Sequence, residues 1–464
     1  MEVELAQYIL VFAMFGTFIA LLMTGFPIAF VLGGTGCLFA VIGYLSDLYL
    51  GTTTGIDFNT IGMVVNRVYK LMSNWVLVAV PMFIFMGIML EHAGLAERMM
   101  KNMQALFGKV RGGLAISVAL IGIILAASTG IMGASVTLLG ILALPLMLRQ
   151  GYNKAMAVGT VGASGTLGIF IPPSIMLVVM ADQLAISVGD LFMGAVIPGL
   201  ILGGLYVAFI LVYGLVNPKG APLPPDVRPL SWRVVGEALL SLLPPAALIV
   251  IVLGSIFAGL ATPTEASGVG AAGAMLLVAM QRKLNLKVIR EAAVETFQVT
   301  GFVFGIFVGA RFFALVLRLL GGDDVIDSLL AKIPFGPHGV LAVIIGVVFL
   351  LGFFLDWIEI TLIILPLVAP AVTRMGLHIN GFGVVEQPEL VWFAVLMALV
   401  LQTSFLTPPV GFTIFFLQGV VPKEVRLEDI YKGIIPYVVL QLMAVTVILL
   451  WPDLVTWLPS VAYR

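Results

Sequence analysis

Long stretches of this chain carry no charge at all. Residues 5–46, 113–148, 155–181, 191–218, 238–264, 390–422 and 433–452 contain no Asp, Glu, Lys or Arg. About 20 apolar residues in a helix span a hydrocarbon core, and there every backbone N–H and C=O must be satisfied within the protein. Helices and closed barrels alone meet that demand. Barrel strands alternate polar and apolar residues, and these runs do not. The sequence therefore predicts an all-α polytopic membrane protein of about 10–13 transmembrane segments plus re-entrant helical hairpins. Only 10% of its 464 residues are charged, against about 25% in soluble domains, so none of its short connections supports a folded aqueous domain. A run such as 75–90 is short for a span and reads as re-entrant or tilted.

Other classes fall away on simple grounds. Net charge is −1, so no global field attracts nucleic acid, and Cys37 is the only cysteine, which leaves no internal disulfide and no Cys-rich metal site. His92, His338 and His378 are scattered near connections. There is no phosphate loop, no His-Glu-x-x-His and no Gly-x-Ser-x-Gly, which argues against ATP hydrolysis and intramembrane proteolysis. The reading is a transporter rather than an enzyme, with no cofactor beyond a coupling ion.

Proline pairs at matching places in charge-free runs are Pro172-Pro173-Ser174 and Thr407-Pro408-Pro409-Val410-Gly411. Proline removes a donor and clashes with the preceding turn, so a pair breaks a helix. Such a break at membrane depth is tolerated where it lines a cavity, and breaks at matching places in two halves point to a transporter's binding site. These two are separated by 236 residues, while Ser135…Leu144-Pro145-Leu146 matches Asp356…Leu365-Pro366-Leu367 at 221. Arg149-Gln-Gly151 and Arg374-Met-Gly376 continue the order. The connection opening the first repeat, 97–112, is basic through Arg98, Lys101, Lys109 and Arg111; that opening the second, 321–337, is acidic through Asp323, Asp324 and Asp327. The positive-inside rule puts the first in the cytoplasm; an outward second loop would make the repeats inverted.

Polar clusters lie within the membrane segments. Ser128-Thr129-Gly130-Ile131-Met132-Gly133-Ala134-Ser135 offers hydroxyls and flexible backbone, hard oxygen donors suited to Na⁺, though small residues equally serve close helix packing. Its counterpart, Asp356-Trp-Ile-Glu359-Ile-Thr361, places carboxylates in a span, where they default to function; alignment with Ser135 favours Asp356. Thr262-Pro-Thr-Glu265 reads as a helix cap with Glu265 at the positive dipole end, or as part of the site. Ser174, Thr407 and Gly411 sit at the breaks.

Together these residues resemble the large membrane subunit, DctM type, of tripartite ATP-independent periplasmic (TRAP) transporters. The resemblance rests on Gly168-Ile-Phe-Ile-Pro-Pro-Ser174, Ala261-Thr-Pro-Thr-Glu-Ala-Ser267, Asp356 with Pro366 and Pro370, Thr407-Pro-Pro-Val-Gly411, and Asp190-Leu-Phe-Met-Gly-Ala195 before Pro198-Gly199. Length and Gly133-Ala-Ser-Val-Thr137 are similar to the larger subgroup. The resemblance implies Na⁺-coupled import of a small organic anion delivered by a periplasmic binding protein. It implies a small membrane subunit as partner, a lipid-embedded setting in the bacterial inner membrane, and two inverted repeats moving as an elevator. It implies Na⁺ held by backbone and hydroxyls near Ser128, Ser135, Asp356 and Thr407. The rival is a stand-alone Na⁺- or H⁺-coupled carboxylate carrier. The expected organisation is N-terminal scaffold helices over 1–70, a first repeat over 71–218, a cytoplasmic linker over 219–235, connecting helices over 236–291, a second repeat over 292–421 and a C-terminal helix over 422–464. Candidate substrate- or ion-binding residues are Ser128, Thr129, Gly130, Gly133, Ser135, Pro172, Pro173, Ser174, Thr262, Glu265, Asp356, Thr361, Thr407, Pro408, Pro409 and Gly411.

Overall fold

A computed structural model describes residues 2–49, 51–129, 132–224, 231–408 and 411–463, leaving aside the side chains of 2–4 and 126–129. All regular structure among these residues is helical. Ten helices are long and apolar enough to cross a membrane, or eleven if a bent pair counts as one span. The run from residue 75, short by sequence, gains length by joining a 3₁₀ turn, Trp75–Val78, to the helix that follows. Residues 225–230 of the linker lie outside the described set.

The chain forms two compact units, each described here by itself. One comprises residues 1–75 and 298–377, the other 76–297 and 378–464. The first unit opens with α1 (Glu2–Leu22) and α2 (Ile28–Tyr49), turning at Gly25, whose φ of 82° only glycine adopts without strain. Next comes α3 (Phe58–Met72), started by a capping box in which Asp57 Oδ1 accepts from Thr60 N–H and Thr60 Oγ1 accepts from Asp57 N–H, both at 2.7 Å.

The second unit then supplies α4 (Ala79–His92), α5 (Leu95–Leu106), α6 (Gly113–Thr129), α7 (Met132–Arg149), α8 (Lys154–Phe170), α9 (Ile175–Leu184) and α10 (Val188–Val216). It continues with α11 (Trp232–Phe257), α12 (Pro263–Met280) and the start of α13 (Leu286–Leu319). The first unit resumes within α13 and adds α14 (Gly322–Ala331), α15 (Gly336–Leu351), the short α16 (Trp357–Glu359) and α17 (Leu365–Arg374). The second unit closes with α18 (Pro388–Leu406), α19 (Phe412–Val420), α20 (Leu427–Leu450) and α21 (Asp453–Ala462).

The predicted repeat is visible as an order of elements: α5 to α10 is followed, in the same sequence, by α14 to α20. Two segments expected to be polar connections are helices. In 97–112, Leu95, Ala96, Met99, Met100 and Met103 recur at helical spacing and are buried as one face of α5. In 321–337, α14 is entered through Gly321 at φ 86°, just as α5 is entered through Gly94 at φ 67°. Of the charges that suggested loops, Glu97, Arg98 and Lys101 are exposed on α5 and Asp323 and Asp324 on α14, while Lys109 and Arg111 follow the end of α5.

Within the second unit α8 is central. It is a small-residue helix, Gly159-Thr-Val-Gly162-Ala-Ser164-Gly165-Thr166, buried from Met156 to Phe170. Absent side chains let neighbours approach its backbone: a Cβ on Gly159 would stand 2.0 Å from the Gly433 carbonyl oxygen of α20, and one on Gly165 2.5 Å from Val136 of α7. Small residues at helix interfaces are how membrane helices gain contact where lipid supplies no hydrophobic drive. Helix α18 is equally interior, with 94% of its span buried, so it faces protein rather than lipid.

Candidate functional site

Both proline pairs break their helices where expected. After Phe170 the chain leaves α-geometry at Ile171, passes a cis Pro172-Pro173 bond and re-enters a helix at Ile175, bent by 41°. Pro172 and Pro173 bring no N–H to the carbonyls of Gly168 and Ile169. The Ser174 hydroxyl donates to the Ile169 oxygen and caps α9 by accepting from Leu177 N–H. The carbonyl of Gly168 is left as an oxygen donor without its helical partner. At the second break Thr407 is extended and donates its hydroxyl to Thr403 O at 2.8 Å, while its N–H takes Ser404 O at 3.1 Å. Gly411, at φ 31°, then starts α19. A hydroxyl whose proton is committed to a carbonyl turns its lone pairs outward, which suits a hard cation.

The two breaks belong to one cluster in the second unit. Helices α8 and α18 cross where Gln402 Nε2 donates to Thr166 Oγ1 at 3.4 Å, and these residues are 236 positions apart. That is the separation of the proline pairs, so the contact joins repeat-equivalent residues, each six before its break. The start of α7 reaches α19: Thr413 Oγ1 donates to Met132 Sδ at 3.4 Å, and a Cβ on Gly133 would stand 2.7 Å from the Phe416 ring. Ser135 is buried one turn on. Gly133 thus permits the first-repeat helix to meet the second break. The first break packs instead on α10, where a Cβ on Gly199 would stand 3.0 Å from Ile171.

Several expected residues are placed differently. Thr262 and Glu265 form an exposed capping box on α12, with Glu265 Oε2 accepting from Thr262 N–H at 2.8 Å; capping accounts for both. Gly130 and Pro409 lie outside the described residues, as do the side chains of Ser128 and Thr129. Asp356 and Thr361 belong to the first unit. Asp356 is the N-cap of α16, its Oδ1 accepting from Trp357 N–H at 2.8 Å. Beyond α16 the helix widens into a π-turn, Ile360–Ile364, ahead of Pro366, a feature that often marks functional sites.

A family model described as the DctM component of tripartite ATP-independent periplasmic transporters matches residues 15–454. The chain belongs to the DctM family of TRAP transporter subunits. It is 30% identical to the C4-dicarboxylate TRAP transporter large permease protein DctM of Pseudomonas aeruginosa, over 85% of this chain and 87% of that one. It is 28% identical to the ectoine TRAP transporter large permease protein TeaC of Halomonas elongata, over 97% and 99%. It is 26% identical to the sialic acid TRAP transporter large permease protein SiaM of Vibrio cholerae, over 95% and 96%. Its fold is similar to the YdaH transporter of Alcanivorax borkumensis, with TM-score 0.57 at 13% identity over 84% of this chain and 87% of that one. A DctM-family chain with ten apolar helices is a multi-pass membrane permease subunit, not an enzyme.

Within each unit, buried polar groups without partners add to the candidates of this DctM-family chain or change their order. Glu359, 1% exposed, has no hydrogen-bond partner at either carboxylate oxygen, and neither does the buried Thr361 hydroxyl. Glu359 ranked below Asp356 because it has no repeat counterpart, yet Asp356 is engaged in capping and Glu359 is not. Gln402 Oε1 and Ser164 Oγ are likewise buried without partners. A signal for Gln402 existed: applying the 236-residue offset to the hydroxyls of α8 pairs it with Thr166.

Proposed function

We propose that this chain is the permease of a Na⁺-coupled importer for a small organic anion, a carboxylate handed over by a periplasmic binding protein. It works beside a small membrane subunit in a bacterial inner membrane. The observation that carries the reading is the pair of broken helices, α8–α9 and α18–α19, joined by the repeat-equivalent contact of Thr166 and Gln402. A paired break is what alternating access requires of a central site, and inverted repeats moving as an elevator would exchange the roles of the two halves. The names of the relatives, which concern dicarboxylates, ectoine and sialic acid, support an organic solute.

The donor chemistry fits Na⁺. Carbonyl oxygens freed by proline and hydroxyls that already donate their protons are hard, neutral ligands; the Gly168 carbonyl and Ser174 at the first break, and Thr407 with the nearby Ser135 at the second, are the residues that would hold Na⁺. Exposed amides where α9 and α19 resume favour a carboxylate beside it. Ordering these breaks around Na⁺ before the anion binds would make import follow the sodium gradient.

The test is uptake by proteoliposomes holding this chain and its small subunit, with labelled C4-dicarboxylate, ectoine and sialic acid offered in turn. Uptake should require both an inward Na⁺ gradient and the periplasmic binding-protein fraction. Uptake indifferent to both refutes the reading; uptake that needs Na⁺ but not the fraction selects the stand-alone carrier.

A further inference from the structure

A cavity of about 510 Å³ lies within the first unit and is lined by Arg318, Asp323, Asp327, Pro366, Pro370 and Arg374 among others. Its charges are arranged in two couples. Arg374 Nη2 lies 2.5 Å from Asp327 Oδ1, and Arg318 Nε lies 3.6 Å from Asp323 Oδ2. The couples are open to a ligand: the arginine side chains are 61% and 42% exposed, the aspartates 40% and 53%. Exposed pairs of this kind contribute little stability, so they exchange partners readily.

One wall is built by sequence spacing. Pro366, Pro370 and Arg374 recur every four residues and share one face of α17. Pro370 brings no N–H to the carbonyl of Pro366, which is left as a free acceptor on the proline stripe. Arg374 is fixed at the end of that stripe, its Nε donating to Pro370 O at 3.2 Å. The cavity therefore holds guanidinium donors beside carboxylate and carbonyl acceptors.

Its depth in a bilayer follows from the helices that end there. Arg318 is in the last turn of the candidate span Leu286–Leu319, and Arg374 is the last residue of the candidate span Trp357–Arg374. Two spans ending at one cavity put it at headgroup level. Helix α3 agrees. Its Arg67 lies close enough to Arg318 and Asp323 to feel their charge, while Phe58, Val65, Tyr69 and Met72 project outward and exposed, as on a helix lying in the interface. Arg67, which also feels the charge of Arg311, adds a third arginine near the two couples that line the cavity.

We propose that this cavity binds the phosphate–ammonium headgroup of a membrane phospholipid, with the phosphate between Arg318 and Arg374 and the ammonium on Asp323 and the Pro366 carbonyl. Planar guanidinium groups match phosphate oxygens in pairs. The aspartates would repel a purely anionic headgroup, so the site prefers an ethanolamine-type zwitterion. The lipid would tie α13 and α17 to one leaflet, whatever solute the permease carries.

The experiment is native mass spectrometry of the full chain in detergent, supplied with phosphatidylethanolamine and phosphatidylglycerol of the same acyl composition. Phosphatidylethanolamine should be retained preferentially, and Arg318→Ala and Arg374→Ala should each lower that retention about tenfold, the worth of a hydrogen bond to a charged group. Asp323→Asn, nearly isosteric and exposed, should leave folding intact and shift preference toward phosphatidylglycerol. Equal retention of both lipids, or retention unchanged in both arginine variants, overturns the proposal. Soluble phosphoethanolamine is the competing source of the same chemistry; if it displaces the lipid at matching affinity, the lipid assignment fails.

Discussion

Replacing Gly159 by alanine places a methyl group at the tightest of the described glycine contacts. The new Cβ would stand 2.0 Å from the Gly433 carbonyl oxygen and 2.5 Å from its carbon, both backbone atoms of α20 that cannot swing aside. An ordinary contact needs about 3.4 Å, so α8 and α20 must part by more than 1 Å, and a gap of that size forfeits roughly a quarter to a half of each dispersion contact across it. The same movement breaks a buried hydrogen bond. Thr160 Oγ1 and Tyr437 OH, one residue along the crossing, are 2.6 Å apart; both residues are fully buried. Opened by 1 Å they pass hydrogen-bond range, at about 1–3 kcal/mol for the stranded Tyr437 hydroxyl, while Thr160 keeps its bond to Met156 O. With about 1–3 kcal/mol for overpacking, the loss is about 2–6 kcal/mol, much of the stability of an ordinary domain. Gly433→Ala should behave alike, since its Cβ would meet Ala155 O at 2.1 Å. Thermal unfolding of the purified chain in one detergent measures this, with Gly204→Ala as control because nothing lies within 4 Å of a Cβ there. A Gly159→Ala protein that melts with the control would refute the close crossing and the central place of α8.

Three further expectations concern the site and its surroundings. Ser135→Ala and Thr407→Ala should each weaken the apparent Na⁺ affinity of uptake several-fold while leaving expression and melting near wild type; unchanged sodium titrations in both would remove them from the site. Glu359→Gln, nearly isosteric with a carboxyl that burial without donors keeps neutral, should leave the melting temperature near wild type and lower transport; transport equal to wild type makes Glu359 inert. At Asp57, hydrogen bonds from Thr60 hold the carboxyl below its usual value of 3.8. A depressed carboxyl stabilises the fold above its unfolded value, and that contribution is lost as pH falls through the folded value. Hydrogen-exchange protection in the first turn of α3, taken relative to the intrinsic rate at each pH, should therefore fall below pH 3.8 in the native chain. In Asp57→Ala protection should be low throughout, and a native protection factor that does not change with pH would contradict the cap.

Some of the site was legible before any coordinates. Pro172-Pro173 and Pro408 lie at breaks, while the pair Pro244-Pro245 continues inside α11, so the repeat spacing and not proline alone marked the two breaks. The helix-capping reading of Thr262 and Glu265 was likewise readable, because cap and partner are three residues apart. The amphipathic face of α5 was present in the spacing of Leu95, Met99 and Met103, and its charges masked it. By contrast, nothing local marks Gln402 as the partner of Thr166, or Gly133 as the place where Phe416 sits. Those pairings come from helices distant in sequence crossing at particular residues.

The sequence by itself determined the class of this protein, since uncharged runs of bilayer length permit helices and little else. It also determined the positions of both breaks and the order of the repeat, because missing donors and residue spacing are properties of the chain. Only the tertiary structure decided which polar groups are satisfied. Asp356 and Glu359 are three residues apart and chemically alike, yet one caps a helix and the other is buried without a partner. That difference depends on where each side chain points in the packed helices, which residue type and spacing do not specify.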